Sequence, residues 1–453
     1  MRLQKHFPLL ALAAAAVLLP LLPIPQFWIT KGNYIGMYAL VALGLVLLTG
    51  VGGITSFGQA AFVGIGAYTT AYLCTVYGMS QWITLLIGLL LTGVFAFLLG
   101  LLTLRMSSHY LPLATIAWGT SLYLLFEKVS WLGKYDGIGG IPALDLFGIN
   151  FADERHMFQL IWLVLLVAVL LTLNLLDSRP GRAIRALKGG RVMAEAMGVD
   201  TGRYKIMIFV LAALMASTSG WLFAHLQRRV NPSPFGIHMG IEYLFMAVVG
   251  GTAHVWGAVV GAGILQVLED QLQRLLPKLF GAGGNYEPIV FGVVLVLLLK
   301  YARGGLWPWL RTQAGRLLPR RVAQTVAQNT QPLERRIQPL AGQQILQVSQ
   351  VSKRFGGLVA VNAISFGMKA GEIVGLIGPN GAGKSTTFNL VTGLLMPSSG
   401  NVKFLGDEIA GLNSRAISQR GIARTFQHVK LLPTMTVLEN VALGAHQRGR
   451  GGI

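Results

Sequence analysis

A run of nine residues carries the clearest chemistry in this sequence, because it is built to hold phosphate. It reads Gly378-Pro379-Asn380-Gly381-Ala382-Gly383-Lys384-Ser385-Thr386 and matches the pattern G-x-x-x-x-G-K-[ST]. In that pattern the glycines let backbone N–H groups close around a polyphosphate. Lys384 would reach the β- and γ-phosphates, and the Ser385 hydroxyl would bind Mg²⁺. The residues therefore predict a nucleoside triphosphate site, with ATP and Mg²⁺ as its cofactors.

The segments on either side of this loop support the prediction. Residues 372–377 are apolar and predict a strand that runs into the loop. Residues 385–392 predict a helix, whose N-terminus favours negative phosphate charge. The alternative is a glycine-rich turn that matches by chance, and the strand–loop–helix order disfavours it.

The composition places most of the chain in a membrane. Hydrophobic residues make up 53% of the sequence and charged residues 12%, whereas soluble domains carry about 25% charged residues. The net charge of +20 could indicate nucleic-acid binding. However, the basic residues flank apolar runs, as the positive-inside rule requires, so we expect no nucleic-acid partner. The single cysteine, Cys74, lies in an apolar run and is expected to be a packed structural thiol.

Ten membrane segments are expected between residues 8 and 302. Eight apolar runs are long enough to cross about 30 Å of hydrocarbon, at 8–25, 34–50, 58–77, 81–104, 112–130, 157–177, 206–226 and 286–302. The stretch 237–276 is long but interrupted by the glycine-rich residues 250–257. We count it as two segments joined by a break, because an even number must separate the basic loop described next from the phosphate-binding loop.

The charge of one loop sets the orientation. Residues 177–205 contain seven basic and three acidic side chains, which predicts a cytoplasmic loop. Six segments precede it, so the N-terminus is expected to be cytoplasmic too. The nucleotide-binding residues must also face the cytoplasm, where ATP is. Arg228 and Arg229 then fall on the outside, against the rule.

Within the apolar part, small residues and one acid stand out. Gly32 and Gly36, like Gly257 and Gly261, are spaced four apart and predict close helix packing. Glu242 lies beside an apolar run. It would either line a substrate path or sit at the membrane interface and extend towards water.

Composition also divides the chain into three parts. A transmembrane domain, 1–302, is followed by a linker, 303–342, and a nucleotide-binding part, 343–453. Trp307 and Trp309 beside Arg311 indicate an anchor at the membrane interface. The rest of the linker is polar and rich in proline, glutamine and arginine, as in flexible tethers.

Three stretches of the first domain resemble the permeases of branched-chain amino acid ABC importers. They are ALGLVLLTGVGGITSFGQAAFVGIGAYTTAYL (42–73), DGIGGIP (136–142) and SRPGRAIRALKGGRVMAEAMGVDTGRYK (178–205). The resemblance implies that 178–205 is the coupling loop, which docks in a groove of the ATPase. The residues 182–197 are compatible with one helix, and Gly198 would end it. The alternative is a solvated amphipathic helix.

Residues 343–453 resemble the start of the ATP-binding subunit of the same importers. The sequence KRFGGLVAV (353–361) precedes the phosphate-binding loop, and the resemblance implies that Phe355 stacks on adenine. Likewise IARTFQ (422–427) resembles the Q-loop, which implies that Gln427 contacts Mg²⁺ and the attacking water. The fold expected overall is a polytopic α-helical membrane domain followed by an incomplete α/β P-loop ABC nucleotide-binding domain.

Parts of the ATPase machinery are missing from the sequence after Gln427. No LSGGQ-type signature, strand ending in Asp-Glu or switch histidine follows. The pair Asp407-Glu408 precedes Gln427, and we interpret the residues 404–408 as the end of a strand that leaves 400–402 and then turns at Gly406. Because hydrolysis needs carboxylates for Mg²⁺ and water, we expect this chain alone not to hydrolyse ATP. It is either a piece of a longer permease–ATPase fusion or has a broken ATPase half.

The leading hypothesis is an importer subunit for branched-chain or related amino acids in a bacterial inner membrane. The resemblance implies a second permease subunit, ATP-binding subunits and a periplasmic substrate-binding protein as partners, in contact with membrane lipid. Three alternatives stay open. The first is an importer subunit for urea or short amides, and the second is a membrane-tethered nucleotide-binding module without transport. The third, less favoured, is a passive channel.

Overall fold

The computed structural model describes residues 2–104, 106, 110–146, 148–280, 287–301, 304–317, 338–427 and 430–448. The chain forms two compact units. The first takes the described residues up to Lys188 and those from Gly202 to 317, and the second takes Gly189–Thr201 and the described residues from 338 onwards. A short segment of the predicted transmembrane domain thus belongs to the second unit.

The first unit is a bundle of helices. They are α1 (Arg2–Leu18), α2 (Gln26–Leu45, continued by a π-helical turn, Val46–Val51), α3 (Gln59–Val76), α4 (Gln81–Thr103), α5 (Tyr110–Lys128), α6 (Glu154–Asp177), α7 (Arg179–Leu187), α9 (Thr201–Gln227), α10 (Ile237–Gly251), α11 (Val255–Phe280), α12 (Glu287–Tyr301) and α13 (Leu306–Leu317). The core lies where α2, α3, α9 and α10 meet, and α4 and α6 expose many apolar side chains on their outer faces. That outward apolar surface is what a lipid environment stabilises.

Among the described residues, four helices are long and apolar enough to cross a membrane. They are Gln26–Val51, Gln81–Thr103, Glu154–Asp177 and Thr201–Gln227. The bent pair α10 and α11 brings the number to five. The other predicted segments lie on α1, α3, α5 and α12, which are shorter or less apolar. The several apolar helices confirm a polytopic helical domain, while the count of ten stays a prediction.

The break predicted in the stretch 237–276 is confirmed. The axes of α10 and α11 differ by 117°, and only three residues separate the two helices. Glycine makes this hairpin close-packed, since a Cβ at Gly261 would overlap the carbonyl oxygen of Met246. Likewise a Cβ at Gly32 or Gly36 would overlap side chains of α6. The spacing of small residues therefore predicted packing correctly.

Short strands join the loops of the first unit. The strand β1 (Ile138–Gly139) pairs with β4 (Arg229–Val230), and β2 (Asp145–Leu146) pairs with β3 (Ile149–Asn150). The guanidinium of Arg229 donates a hydrogen bond of 3.0 Å to the Asp136 carbonyl. The permease-like sequence 136–142 is thereby fixed to the loop that follows α9. Elsewhere in the unit, Cys74 is buried, as expected.

The second unit is built on an antiparallel sheet with strand order β6-β5-β7-β8. Its strands are β5 (Gln344–Phe355), β6 (Leu358–Lys369), β7 (Ser399–Phe404) and β8 (Asp407–Glu408), and its helices are α8 (Arg191–Ala196), α14 (Lys384–Val391), α15 (Ser414–Arg420) and α16 (Val437–Gly444). A small core forms between the sheet, α14 and α15. The predicted turn at Gly406 is confirmed, because Leu405 and Gly406 join β7 to β8 and both have positive φ, as a two-residue hairpin requires.

The prediction of a strand at 372–377 is wrong. This segment has no assigned secondary structure, and none of the strands assigned in the described residues pairs with it. Ile373 and Ile377 are almost fully exposed, at 101% and 93%. An apolar run is typical of a strand buried on both faces, but a strand exists only where a neighbour supplies its hydrogen bonds. The strands β5 to β8 pair with one another, and the segment 372–377 is not part of their sheet.

The predicted linker also differs from the structure in its first third. Residues 306–317 form the helix α13, which packs on α10 and α11 in the first unit. The ring centroid of Trp307 lies 6.2 Å from that of Trp256. Trp307 is therefore packed against α11, whereas Trp309 is half exposed. Residues 318–337, predicted to be tether, lie outside the described residues.

Candidate nucleotide site and coupling segment

The phosphate-binding loop has the backbone shape that its glycines predict. Gly378, Gly381 and Gly383 have φ values of 153°, 87° and 83°, a region that L side chains rarely adopt. Gly383 is also the N-cap of α14, and a Cβ there would overlap the Ala360 carbonyl oxygen on β6. The loop is thus held between β6 and the first turn of α14, whose N–H groups point towards it. Residues 378–382 are exposed to solvent.

The ammonium of Lys384 lies folded across this loop. Its Nζ donates hydrogen bonds of 2.7 Å to the Gly378 carbonyl and 2.6 Å to the Pro379 carbonyl. These carbonyls stand at the start of the loop, so the positive charge lies over its mouth. Behind it, the buried Thr387 hydroxyl donates to the Gly383 carbonyl over 3.1 Å. The arrangement offers a cation and backbone N–H groups to one anion, as phosphate binding requires.

Ser385 and Gln427 line one cavity. The cavity has a volume of about 450 Å³ and is bounded by side chains of the sheet, by α14 and by the segment 422–427. The residues that line it are Leu346, Met368, Ser385, Phe388, Val391, Thr392, Phe404, Ile422, Ala423, Arg424, Thr425 and Gln427. The two residues expected to bind Mg²⁺ therefore face the same space, although they are 42 positions apart in the sequence.

Arg424 positions the segment that carries Gln427. Its Nη1 donates to Asn389 Oδ1 over 2.7 Å and to Thr392 Oγ1 over 3.0 Å. Its guanidinium also lies 5.6 Å from the centroid of the Phe426 ring. The segment is thereby tied to α14, which starts at the phosphate-binding loop. In the sequence, Arg424 stands out only as a flank of Gln427, and nothing there indicates its partners on α14.

Phe355 lies at the end of the hairpin formed by β5 and β6. Its side chain is 46% exposed, and the Lys353 ammonium lies 5.2 Å from the centroid of its ring. The two-residue turn begins at Gly356, with a φ of 58°, and returns the chain at Leu358. Phe355 is not among the described residues that line the cavity with Ser385 and Gln427. It is accessible for stacking from solvent, but at a separate place on the sheet.

The loop 178–205 forms two short helices rather than the single helix expected over 182–197. The helix α7 ends at Leu187, and α8 begins at Arg191 after Gly190, which has a φ of 100°. The pair Gly189-Gly190 breaks the helix because glycine has low helix propensity and adopts positive φ freely. The helix α7 belongs to the first unit and α8 to the second.

Gly198 ends α8 as predicted. It has a φ of 83°, its N–H donates to the Glu195 carbonyl over 2.9 Å, and the Val199 N–H donates to the Ala194 carbonyl over 3.0 Å. This pair of bonds is the Schellman motif of helix C-termini. Within the second unit, the Ser418 hydroxyl of α15 donates to the Ala196 carbonyl over 2.8 Å. Arg415 forms an ion pair of 2.9 Å with Asp200.

Comparison with known proteins identifies the family of this chain. Residues 32–299 match the family described as the branched-chain amino acid transport system permease component. The high-affinity branched-chain amino acid transport system permease protein LivM of Escherichia coli K12 is 30% identical over 334 residues, which is 68% of this chain and 76% of LivM. The chain belongs to this permease family. It is accordingly a multi-pass membrane protein.

The second unit matches a different component of the same kind of system. Residues 361–450 match the ABC transporter family. The ATP-binding protein LivG of Salmonella typhimurium is 45% identical over 111 residues, 24% of this chain and 44% of LivG. The ATP-binding protein BraF of Pseudomonas aeruginosa is 45% identical over 103 residues, 23% of this chain and 40% of BraF. The chain spans less than half the length of these ATP-binding relatives. It joins a segment of the permease family to a segment of the ABC transporter family.

Proposed function

We propose that this chain forms part of the membrane pathway of an importer for branched-chain or related amino acids and that its second unit binds the ATP that powers uptake. One observation carries the proposal. A chain of the permease family also holds a phosphate-binding loop whose Ser385 shares a cavity with Gln427. The relatives of the permease part and those of the ATP-binding part are both named for branched-chain amino acid transport. This favours branched-chain amino acids as the substrate class over urea or short amides.

At the nucleotide site, the proposed roles follow from position and chemistry. Residues 378–386 wrap the phosphates with backbone N–H groups, and Lys384 pairs with the β- and γ-phosphates. The Ser385 hydroxyl and the Gln427 amide oxygen are the proposed ligands of Mg²⁺, which would complete its oxygen shell with phosphate and water. Among the described residues no group of three His, Cys, Asp or Glu could hold a metal ion, so the nucleotide must supply much of the coordination. Gln427 is also proposed to contact the attacking water, and Phe355 to stack on adenine.

The proposed organisation assigns 1–302 to the permease domain, 303–342 to the linker and 343–453 to the first part of the ATP-binding domain. The coupling loop, 178–205, would transmit movement between them. A second permease subunit, ATP-binding subunits and a periplasmic substrate-binding protein are the proposed partners in the bacterial inner membrane. The excess of basic residues in 177–205 supports a cytoplasmic position for this loop, for the N-terminus and for the nucleotide domain.

Photolabelling by an azido analogue of ATP tests the nucleotide site directly. Membranes that contain the full chain should incorporate the label in a saturable, Mg²⁺-dependent way, and Lys384→Ala should reduce incorporation at least tenfold. Lys403→Ala, which removes an exposed lysine on β7 outside the loop, is the matched control and should label normally. Equal labelling of both variants would refute the site.

Uptake tests the transport function separately. Cells that lack their own branched-chain system should accumulate labelled leucine when this chain is expressed with its partner subunits and a periplasmic binding protein. Accumulation should be lost with Lys384→Ala and retained with Lys403→Ala. Normal ATP labelling without any leucine uptake would leave the site intact and refute the transport proposal.

A further inference from the structure

The start of α3 carries buried polar side chains whose hydrogen-bonding groups are unpaired. Ser56 lies in the non-helical segment that precedes α3, and Gln59 is the first residue of the helix. Their side chains are buried, with residue exposures of 0% and 1%. In the described part of the chain, Ser56 Oγ and both amide atoms of Gln59, Oε1 and Nε2, have no hydrogen-bond partner. Such groups are rare in folded proteins, because a buried polar group without a partner costs free energy.

A third side chain joins them from α5. The indole ring of Trp118 packs on Gly58, since a Cβ at Gly58 would overlap its atoms Cζ2 and Cη2. The same ring lies 4.8 Å, centroid to centroid, from that of Phe62, so Trp118 contacts α3 on both sides of Gln59. The indole Nε1 is buried, and no described residue accepts its hydrogen bond. We call Ser56, Gln59 and Trp118 the α3 polar cluster.

Backbone N–H groups add to the donors of the α3 polar cluster. Gly58 is the N-cap of α3, and no side chain caps this helix end. The first N–H groups of a helix have no acceptor within it and carry partial positive charge. The Ala61 N–H donates to the Gly58 carbonyl over 3.2 Å, which leaves the N–H groups of Gln59 and Ala60 without a partner inside the helix.

The N-terminus of α10 reaches the same place. Its N-cap, Gly236, also lacks a side-chain hydrogen bond, and Gly236 and Gly58 line one small cavity. Phe57, Ile116 and Phe235 are among the apolar residues that line it. The cavity has a volume of about 10 Å³, room for a single water molecule. A larger ligand therefore enters only when α5 or α10 moves away from α3.

Donors predominate in this arrangement. The hydroxyl of Ser56, the amide of Gln59 and the indole of Trp118 can all donate, as can the first N–H groups of α3. Among the described residues that line the cavity, none is acidic. A carboxylate accepts hydrogen bonds only, and bonds to a charged acceptor are the stronger ones. Two helix N-termini favour negative charge further, as they do for anionic groups of substrates in membrane transporters.

We propose that the α3 polar cluster binds the carboxylate of the amino acid that passes through the permease, with the apolar side chain of the substrate against Phe57, Ile116 and Phe235. The proposal rests on the proposed function and names the part of the substrate that the pathway recognises. Urea and short amides carry no carboxylate, so the α3 polar cluster favours amino acids over these alternatives.

A photoreactive leucine tests the site. An analogue of leucine with a diazirine in its side chain is irradiated with membranes that contain the full chain, and its points of attachment are mapped by mass spectrometry. Attachment is expected within 56–62 and 115–120. Excess leucine should suppress it, whereas leucinamide, which lacks the carboxylate, and urea should not. Equal suppression by leucine and leucinamide would overturn carboxylate recognition, and attachment only outside these two ranges would overturn the site.

Substitution of Gln59 tests the donors. Gln59→Met keeps the length of the side chain but removes the amide, and attachment should fall about tenfold, as expected when a charged ligand loses a hydrogen bond. Gln266→Met is the matched control. Gln266 is also buried, but its amide donates to the Glu269 carboxylate over 3.0 Å, so attachment near α3 should stay unchanged. Equal attachment to the Gln59→Met variant and the unsubstituted chain would overturn the role of Gln59.

Thermal unfolding separates a binding role of Gln59 from a structural one. Without ligand, Gln59→Met removes an unpaired buried amide and its desolvation penalty. The purified variant should therefore melt at or above the temperature of the unsubstituted chain. Gln266→Met breaks a hydrogen bond and should melt lower. A lower melting temperature for Gln59→Met would show that the Gln59 amide supports the fold and would overturn the proposal.

These results are distinct from those that test the proposed function. Normal leucine uptake by a chain that takes no label near α3 would overturn the site and leave the transport function standing. Attachment at the α3 polar cluster in a chain that supports no uptake would refute transport and leave carboxylate binding standing.

Discussion

At the residue scale, the residues proposed to bind phosphate could be predicted from the sequence because the chemistry of such a loop depends on local spacing. The glycines, Lys384 and Ser385 lie within nine positions, so one loop brings them together. Arg424 could not be identified in this way, since its acceptors Asn389 and Thr392 lie 35 and 32 positions away. Contacts between residues far apart in the chain cannot be predicted from the local spacing of residues in one sequence.

Gly383 should tolerate no side chain. Gly383→Ala places a Cβ at a φ of 83° and against the Ala360 carbonyl, and such backbone strain costs about 1–3 kcal/mol. We expect loss of azido-ATP labelling and faster proteolysis of the second unit. The matched control is Gly375→Ala, because nothing lies within 4 Å of a Cβ at that position among the described residues. Normal labelling of Gly383→Ala would contradict the loop geometry.

Substitution of Arg424 should weaken the binding of Mg²⁺ more than the binding of the nucleotide. Arg424→Met keeps the stem but removes the hydrogen bonds to Asn389 and Thr392, and bonds to a charged donor contribute about 1.5–3 kcal/mol. Labelling without Mg²⁺ should stay unchanged, while the increase in affinity caused by Mg²⁺ should fall about tenfold. Arg420→Met is the control, since the Arg420 guanidinium donates within α15, to the Ala416 carbonyl. A uniform loss of affinity with and without Mg²⁺ would argue against a positioning role.

At the element scale, predictions were correct where periodicity or glycine determined the outcome. The break between α10 and α11, the hairpin after β7 and the end of α8 at Gly198 were all predictable. The strand at 372–377 and the continuous helix over 182–197 were wrong. A strand needs a partner strand, which can lie far away in the sequence. The helix over 182–197 is interrupted because Gly189 and Gly190 have low helix propensity.

The close packing of α10 against α11 should depend on Gly261. Gly261→Val would drive a side chain into the Met246 carbonyl, and overpacking of this kind costs about 1–3 kcal/mol. We expect a lower yield of monodisperse protein in detergent and a lower melting temperature. Gly263→Val is the matched control on the same helix, because the nearest described atom to a Cβ there lies 3.9 Å away. Equal behaviour of the two variants would refute the close packing.

At the scale of the whole molecule, both components are evident from the sequence, but their boundary in space is not. Composition divides the chain once, near the linker, because apolar content changes there. The structure divides it differently, since 189–201 leaves the membrane unit and joins the nucleotide-binding unit. A linear division cannot detect such an insertion.

The orientation predicted from charge can be measured with thiol labelling. In the Cys74→Ser background, Val192→Cys introduces a thiol at an exposed position of α8, and Tyr135→Cys introduces one between α5 and α6. A membrane-impermeant maleimide should label Val192→Cys in inverted vesicles and Tyr135→Cys in right-side-out vesicles. The reverse pattern would invert the topology derived from the basic loop.

The exposed segment 372–377 has a consequence for handling the protein. It presents Ile373 and Ile377 to solvent, carries one charge and pairs with none of the strands in the described part of the chain, features typical of segments that stack into fibrils. The same segment leads directly into Gly378, so a stacked copy would distort the loop that is proposed to bind nucleotide. A ligand that binds only the dispersed form opposes such stacking by mass action. Purified protein should therefore scatter progressively more light on storage, and Mg-ATP should slow this while Mg-ATP added to Lys384→Ala should not.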